Sequence, residues 1–324
     1  PNTLRLVQNG HRFSPFYDNG LSNHLPMAVA ALDGLGASDA EISAFAEHYE
    51  KILEPLPPPT GDITERTAAD FLGRRAAVTS WILFFRAQIA SAGRETTTRL
   101  WLRKLMPGVG SVAFHGLLRL AYAVEIGDDA ELAHALAQWA ADNMTLGALP
   151  DFDSPGKSPS AALALLDGGK GRYPGGNIVE RMKNVAAEPG FAAVVASAGV
   201  RELSTASLAP AMLSAYRATG SFTVLHAVTA CHAFRLLTPL MNDAAEGTLY
   251  LWQALACAYI SAGGPKSGAP LKGDEGLPWE RIARLAAVAR DEHDVKLVFT
   301  CRREFDFYGD DAYRKMASAY MSSR

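Results

Sequence analysis

Apolar positions in this chain recur at three- and four-residue intervals over most of its length, the spacing of one face of an α-helix. Runs of ten or more residues with this spacing cover 38–53, 68–92, 113–126, 130–143, 206–218, 222–237, 247–261, 279–289 and 291–305. They are rich in Ala, Leu, Arg and Glu, which favour helix. Ser38 stands three residues before Glu41 and offers a capping box, while Asn23 ahead of Pro26 offers an N-cap with proline in the first turn. Gly93, Gly127 and Gly220 sit where helices should stop. Apolar–polar alternation is nearly absent, and 192–195 is too short and alanine-rich for a strand. The pattern predicts an all-α protein, a single large multi-helix domain over 1–324. Three stretches interrupt it as loops: 53–66 with Pro55, Pro57, Pro58 and Pro59, the glycine- and proline-rich 150–176, and 263–276.

Composition narrows the function classes. The 324 residues are 48% hydrophobic, enough for a core without disulfide or metal staples. The formal net charge is only −3, with both signs interspersed, so there is no electrostatic footprint for nucleic acid or an anionic membrane. Three cysteines, Cys231, Cys257 and Cys301, are an odd number and point to free thiols in a reducing compartment. The first twenty residues lack a basic start followed by an apolar run, and 248–262 is too short to span a bilayer. These features lead to the expectation of a soluble, cytoplasmic protein.

Several familiar motifs are missing. There is no His-Glu-x-x-His, Cys-x-x-Cys or Gly-x-Ser-x-Gly. The run Gly168-Gly169-Lys170-Gly171 shares only composition with a phosphate loop. Gly108-Val109-Gly110-Ser111-Val112-Ala113 fits the loose dinucleotide pattern, but it follows a helical segment, 100–105, where that pattern needs a strand. It reads as a helix-to-helix turn. Glu131-x-x-His134 is the unit of carboxylate-bridged di-iron bundles, which need two such units. Only one is present, and His134 reads as a surface residue, like His48; His11 lies in a segment without pattern.

The remaining five histidines lie in apolar surroundings, where an imidazole without a polar partner costs free energy. His24 stands at a helix start. His115, Arg119 and Tyr122 form one polar stripe on an otherwise apolar helix, so the stripe must face a cavity or a polar partner. His226 and His232 share a helix but are about 120° apart around its axis. His293, Lys296 and Thr300 lie on one face, where Lys296 could also pair with Glu292 on a solvated surface. Imidazole sets suit iron, zinc, copper or nickel.

Together these segments resemble the questin oxidase-like family. The resemblance rests on Leu21-Ser22-Asn23-His24-Leu25-Pro26, on 114–123 around His115, on 225–235 around His226 and His232, and on Asp291-Glu292-His293-Asp294-Val295-Lys296-Leu297. These segments occur in order over most of the chain. The resemblance implies a helical oxygenase acting on aromatic polyketide rings, of Baeyer–Villiger or non-haem iron type. It implies metal or catalytic roles for His24, His115, His226, His232 and His293, and places Lys296 at the site. Met27 stands where relatives carry a second histidine, a departure that bears on the metal shell.

The resulting expectation is a metal-dependent oxygenase, with iron the first choice, for an aromatic polyketide-like molecule and dioxygen. His24, His115, His226, His232 and Lys296 would hold the metal. Arg119 would orient an anionic substrate, Tyr122 would donate a hydrogen bond to it, and His293 completes the catalytic set. Trp81, Phe84 and Phe85 read as core. NADPH could assist, although no nucleotide-binding motif supports it. The alternative is a small-molecule binding protein or a cofactor-independent oxygenase that uses the histidines as bases.

Overall fold

Seventeen α-helices and one two-stranded ribbon make up the regular structure of the computed structural model, which describes residues 2–152, 155–165, 173, 176–263 and 270–324. The chain is all-α apart from the ribbon, β1 (Phe16–Tyr17) paired antiparallel with β2 (Leu21–Ser22). It divides into two compact units.

The first unit comprises 1–101, 115–143 and 272–324. It holds α1 (Asn2–Gly10), α2 (Leu25–Gly34), α3 (Asp39–Tyr49), α4 (Ala68–Phe71), α5 (Val78–Ala92) and most of α6 (Arg94–Leu105). It also holds α7 (His115–Ile126), α8 (Asp129–Ala141), α15 (Trp279–Ala287), α16 (Glu292–Tyr308) and α17 (Ala312–Ser322). The second unit, 102–114 and 144–271, holds α9 (Pro159–Ala164), α10 (Ile178–Ala186), α11 (Phe191–Ala196), α12 (Thr205–Thr219), α13 (Phe222–Leu237) and α14 (Ala244–Ser261).

Local chemistry explains most boundaries. The Ser38–Glu41 capping box forms at α3 with both reciprocal hydrogen bonds. Gly220 ends α12 in the left-handed region, as predicted. The N-cap position of α2 is His24, one residue later than expected, and Asn23 Oδ1 instead accepts from the Leu25 N–H. The run 68–92 is not one helix. It breaks after α4, where Gly73 adopts positive φ with its N–H bonded to the Ala140 carbonyl, and resumes as α5. Segment 192–195 is helical within α11, and 108–113 is a helix-to-helix turn with no strand before it. The run 168–171 lies outside the described residues, as do 264–269 of the third predicted loop.

The core of the first unit is aromatic where α5 meets α6. Trp81, Phe84, Phe85 and Trp101 pack with ring centroids 4.9–5.6 Å apart. α8 packs against both α5 and α7, and every residue from Glu131 to Ala141 is buried. That corrects the reading of His134 as a surface residue: it is 0% exposed. Its helix has no solvent face, so Glu131, His134 and Gln138 form an internal polar stripe. The three cysteines are buried and form no disulfide among the described residues, and burial raises the Cys257 and Cys301 thiols. Among the described residues no helix is long and apolar enough to cross a membrane.

Candidate metal centre

Three helices of the first unit begin at one point. His24 is the N-cap of α2, His115 is the first residue of α7, and His293 is the second residue of α16. Their imidazoles meet there: His24 and His115 lie 4.5 Å apart between ring centroids, and His24 and His293 lie 4.9 Å apart. One ring nitrogen from each lies within 4.8 Å of the other two. All three residues are buried. Converging helix N-termini bring together three positive dipole ends, an arrangement that nearby carboxylates offset.

The carboxylates come from α16. The Nδ1–H of His24 donates to Glu292 Oε1 at 2.8 Å, and that of His293 donates to Asp291 Oδ1 at 3.0 Å. Glu292 Oε1 is also 3.4 Å from His293 Nδ1. A neutral imidazole that donates through Nδ1 carries its lone pair on Nε2, so Glu292 selects the tautomer of His24 that can bind a metal. Asp291, Glu292 and His293 form a second group of ligand-type atoms within 4.8 Å. The backbone N–H of His24 donates to the Tyr49 hydroxyl at 3.2 Å. Burial, reinforced by the Glu292 charge, raises the Tyr49 hydroxyl far above its ordinary range.

The backbone before His115 is strained. Val112, Ala113 and Phe114 have φ of 48°, 53° and 68°, three successive left-handed residues without a glycine. Each costs roughly 1–2 kcal/mol, and Val112 is β-branched. The turn ends where α7 begins. One residue on, Gly116 packs against Trp139: an added Cβ would lie 2.5 Å from the Trp139 ring.

Lys296 lies one turn beyond His293 on α16 and is 3% exposed. Burial pushes its ammonium down to about 8, opposed by Glu292 and Asp291. Neutral amine is therefore accessible near neutrality, the form a lysine needs in order to ligate. His226 and His232 are both buried on α13 of the second unit, where the Nδ1–H of His226 donates to the Phe222 carbonyl at 2.8 Å.

Arg119 does not present a free guanidinium. It makes a bidentate pair with Glu131, at 2.7 and 3.0 Å, and donates to Gln138 Oε1 at 3.1 Å. His11 Nε2 reaches the same carboxylate at 3.0 Å, and its ring stacks on His134. Burial would raise Glu131, but Arg119 and His11 hold it down at about 2. The expected substrate-orienting residue is thus committed to a buried ion pair. Tyr122, two turns along α7 from His115, is buried with a hydroxyl that makes no hydrogen bond.

Glu292, Asp291, Tyr49 and the Arg119–Glu131 pair escape a reading by motif. Acidic residues in a first helical turn are common for dipole reasons alone. Their one distinguishing signal is adjacency to His293.

Comparison with known proteins reaches part of this site. The sequence model of one family, described as questin oxidase-like, matches residues 21–201, a stretch that contains His24, His115, Arg119 and Tyr122. The Baeyer–Villiger oxidase AgnL3 of Paecilomyces divaricatus is 27% identical over 148 residues, 41% of this chain and 32% of that protein. The Baeyer–Villiger oxidase ptaJ of Pestalotiopsis fici is 25% identical over 148 residues, 41% and 33% of the two chains. The Baeyer–Villiger monooxygenase AacuH of Aspergillus aculeatus is 26% identical over 170 residues, 45% and 36%. The chain spans about a third of the length of these relatives.

Proposed function

Because this chain belongs to the questin oxidase-like family, we propose that it is an oxygenase that inserts oxygen into an aromatic, polyketide-like small molecule, with a transition metal, iron first, at the His24–His115–His293 cluster. The observation that carries the metal reading is the convergence of three buried imidazoles on one point, with a carboxylate fixing the tautomer of one of them. The donor set fits: imidazole nitrogens with carboxylate support suit iron, and buried histidines from three separate helices have few structural reasons to meet. The names of the relatives support oxygen insertion of the Baeyer–Villiger type.

His24, His115 and His293 would hold the metal; Glu292 stands ready as a carboxylate ligand or as the support of His24, and Lys296 as an amine. When bound, the metal supplies the electron-transfer chemistry that dioxygen needs to react with a closed-shell organic molecule. The protein's own residues do the rest. Glu292 keeps the proton on His24 Nδ1. Asp291 does the same for His293. The ion pair of Arg119 with Glu131 ties α7 to α8 one turn after His115, and so holds that histidine in place. His226 and His232, buried on α13 of the second unit, take no part in this three-histidine group.

The test is elemental analysis of protein purified without chelator, combined with dioxygen uptake on a hydroxylated anthraquinone. Stoichiometric iron and Fe(II)-dependent uptake are expected. Protein without metal whose dioxygen uptake is unchanged by Fe(II) and by chelator would overturn the metal and favour the second reading. In that reading the imidazoles act as bases, oriented by the carboxylates paired with His24 and His293.

A further inference from the structure

A cavity of about 320 Å³ opens in the first unit between the C-terminal ends of α2 and α7, the first turn of α1 and the middle of α16. It is lined by Leu4, Ala30, Asp33, Tyr122, Glu125 and Phe299, among others. Along α7 it begins two turns from His115, about 10 Å by helix rise.

Its chemistry is one-sided. Tyr122 and Phe299 form an aromatic wall with centroids 5.7 Å apart. Gly34 is what allows this: any Cβ there would collide with the Phe299 ring. Two carboxylates stand at the cavity. Glu125 is paired with Arg303 at 2.7 Å, and the Arg303 guanidinium lies over the Phe299 ring at 5.8 Å. The same aromatic ring and carboxylate thus already hold one cation. Asp33, an exposed residue, makes no side-chain hydrogen bond or ion pair among the described residues. The Tyr122 hydroxyl is buried behind this wall, without a hydrogen-bond partner among the described residues.

We propose that this cavity binds a small organic cation, an amine carried on an aromatic or alkyl body. The body packs on Tyr122 and Phe299, and the ammonium faces Asp33. An anionic or phenolate ligand is disfavoured by the Asp33 carboxylate, since the charge of Glu125 is offset by Arg303. The inference does not depend on what the histidine cluster binds.

Benzylamine, benzyl alcohol and benzoate, similar in size and differing in charge, are the probes for calorimetry or ligand-observed NMR on the full chain. Benzylamine should bind at least about fivefold more tightly than benzyl alcohol, and benzoate should not bind. Asp33→Asn, an exposed and isosteric change, should cut benzylamine affinity about fivefold with the melting temperature unchanged. No benzylamine binding at millimolar concentration, equal binding of amine and alcohol, or indifference to Asp33→Asn would each overturn the proposal.

Discussion

At the scale of single residues, the account turns on groups that sit beside the histidines rather than on the histidines alone. Glu292 is the clearest. It accepts the Nδ1–H of His24 at 2.8 Å, and removing its charge while keeping its shape should loosen that ring. We predict that Glu292→Gln weakens metal binding by roughly 10–100-fold, with little change in melting temperature of the metal-free protein. Competition titration against a chromogenic chelator checks this; unchanged affinity would mean that Glu292 does not support a ligand. A second prediction concerns the strained turn. Ala113 has φ of 53°, where glycine is at ease and alanine is not. Ala113→Gly should raise stability, by about 0.5–1 kcal/mol once the greater freedom of the unfolded chain is subtracted. Chemical denaturation measures the difference, and a loss of stability would show that the turn is not held at that angle. The histidines themselves were legible in the sequence because imidazoles on apolar helices stand out. Their carboxylate partners were not, because Asp291 and Glu292 look like ordinary residues of a helix start.

At the scale of elements, α8 shows best what a periodic pattern reveals and what it hides. Its length and type were plain from the run 130–143. Its polar residues suggested a solvent face, but the helix packs between α5 and α7 and that face is internal. Periodicity tells which residues share a face; it does not tell whether a second helix covers it. The short α9, α10 and α11, and α1 and α17 near the two ends of the chain, lacked a long enough apolar run to announce themselves. The buried stripe on α8 has a consequence for pH. Burial, then the charges of Arg119, His11 and Arg86, hold His134 well below 6.5, with Glu131 opposing. The folded protein therefore keeps His134 neutral while the unfolded chain takes up a proton below pH 6.5, so stability falls as pH drops through that value. Glu131, held at about 2 against an ordinary 4.5, adds a further loss between those two values as acid protonates the unfolded chain first. Urea denaturation of wild type and His134→Leu at pH 7.5 and 5.5 should show a smaller loss of stability on acidification in the variant. Equal losses would mean that His134 is not buried and neutral.

At the scale of the whole molecule, the helical class followed from period alone, while the division into two units did not, because the first unit is assembled from three separated stretches of chain. The site is correspondingly non-local: His24, His115 and His293 come from all three of those stretches, 91 and 178 residues apart in sequence. A ligand that joins them should act as a clamp on the first unit. Addition of Fe(II) under anaerobic conditions, or of Zn(II) as a redox-inert substitute, at about 100 times the dissociation constant should stabilise the fold by about 2.7 kcal/mol. His115→Ala should abolish the gain, and a rise in melting temperature that survives this substitution would place the metal elsewhere. The central claim, that three helix N-termini present their histidines to one metal ion, is tested most directly by a crystal structure of protein purified without chelator, with anomalous scattering recorded on both sides of the iron absorption edge. An anomalous peak, present above the edge and lost below it, is expected within coordination distance of His24, His115 and His293 nitrogens. A well-ordered cluster with no such peak, its imidazoles bonded only to protein groups and water, would contradict it.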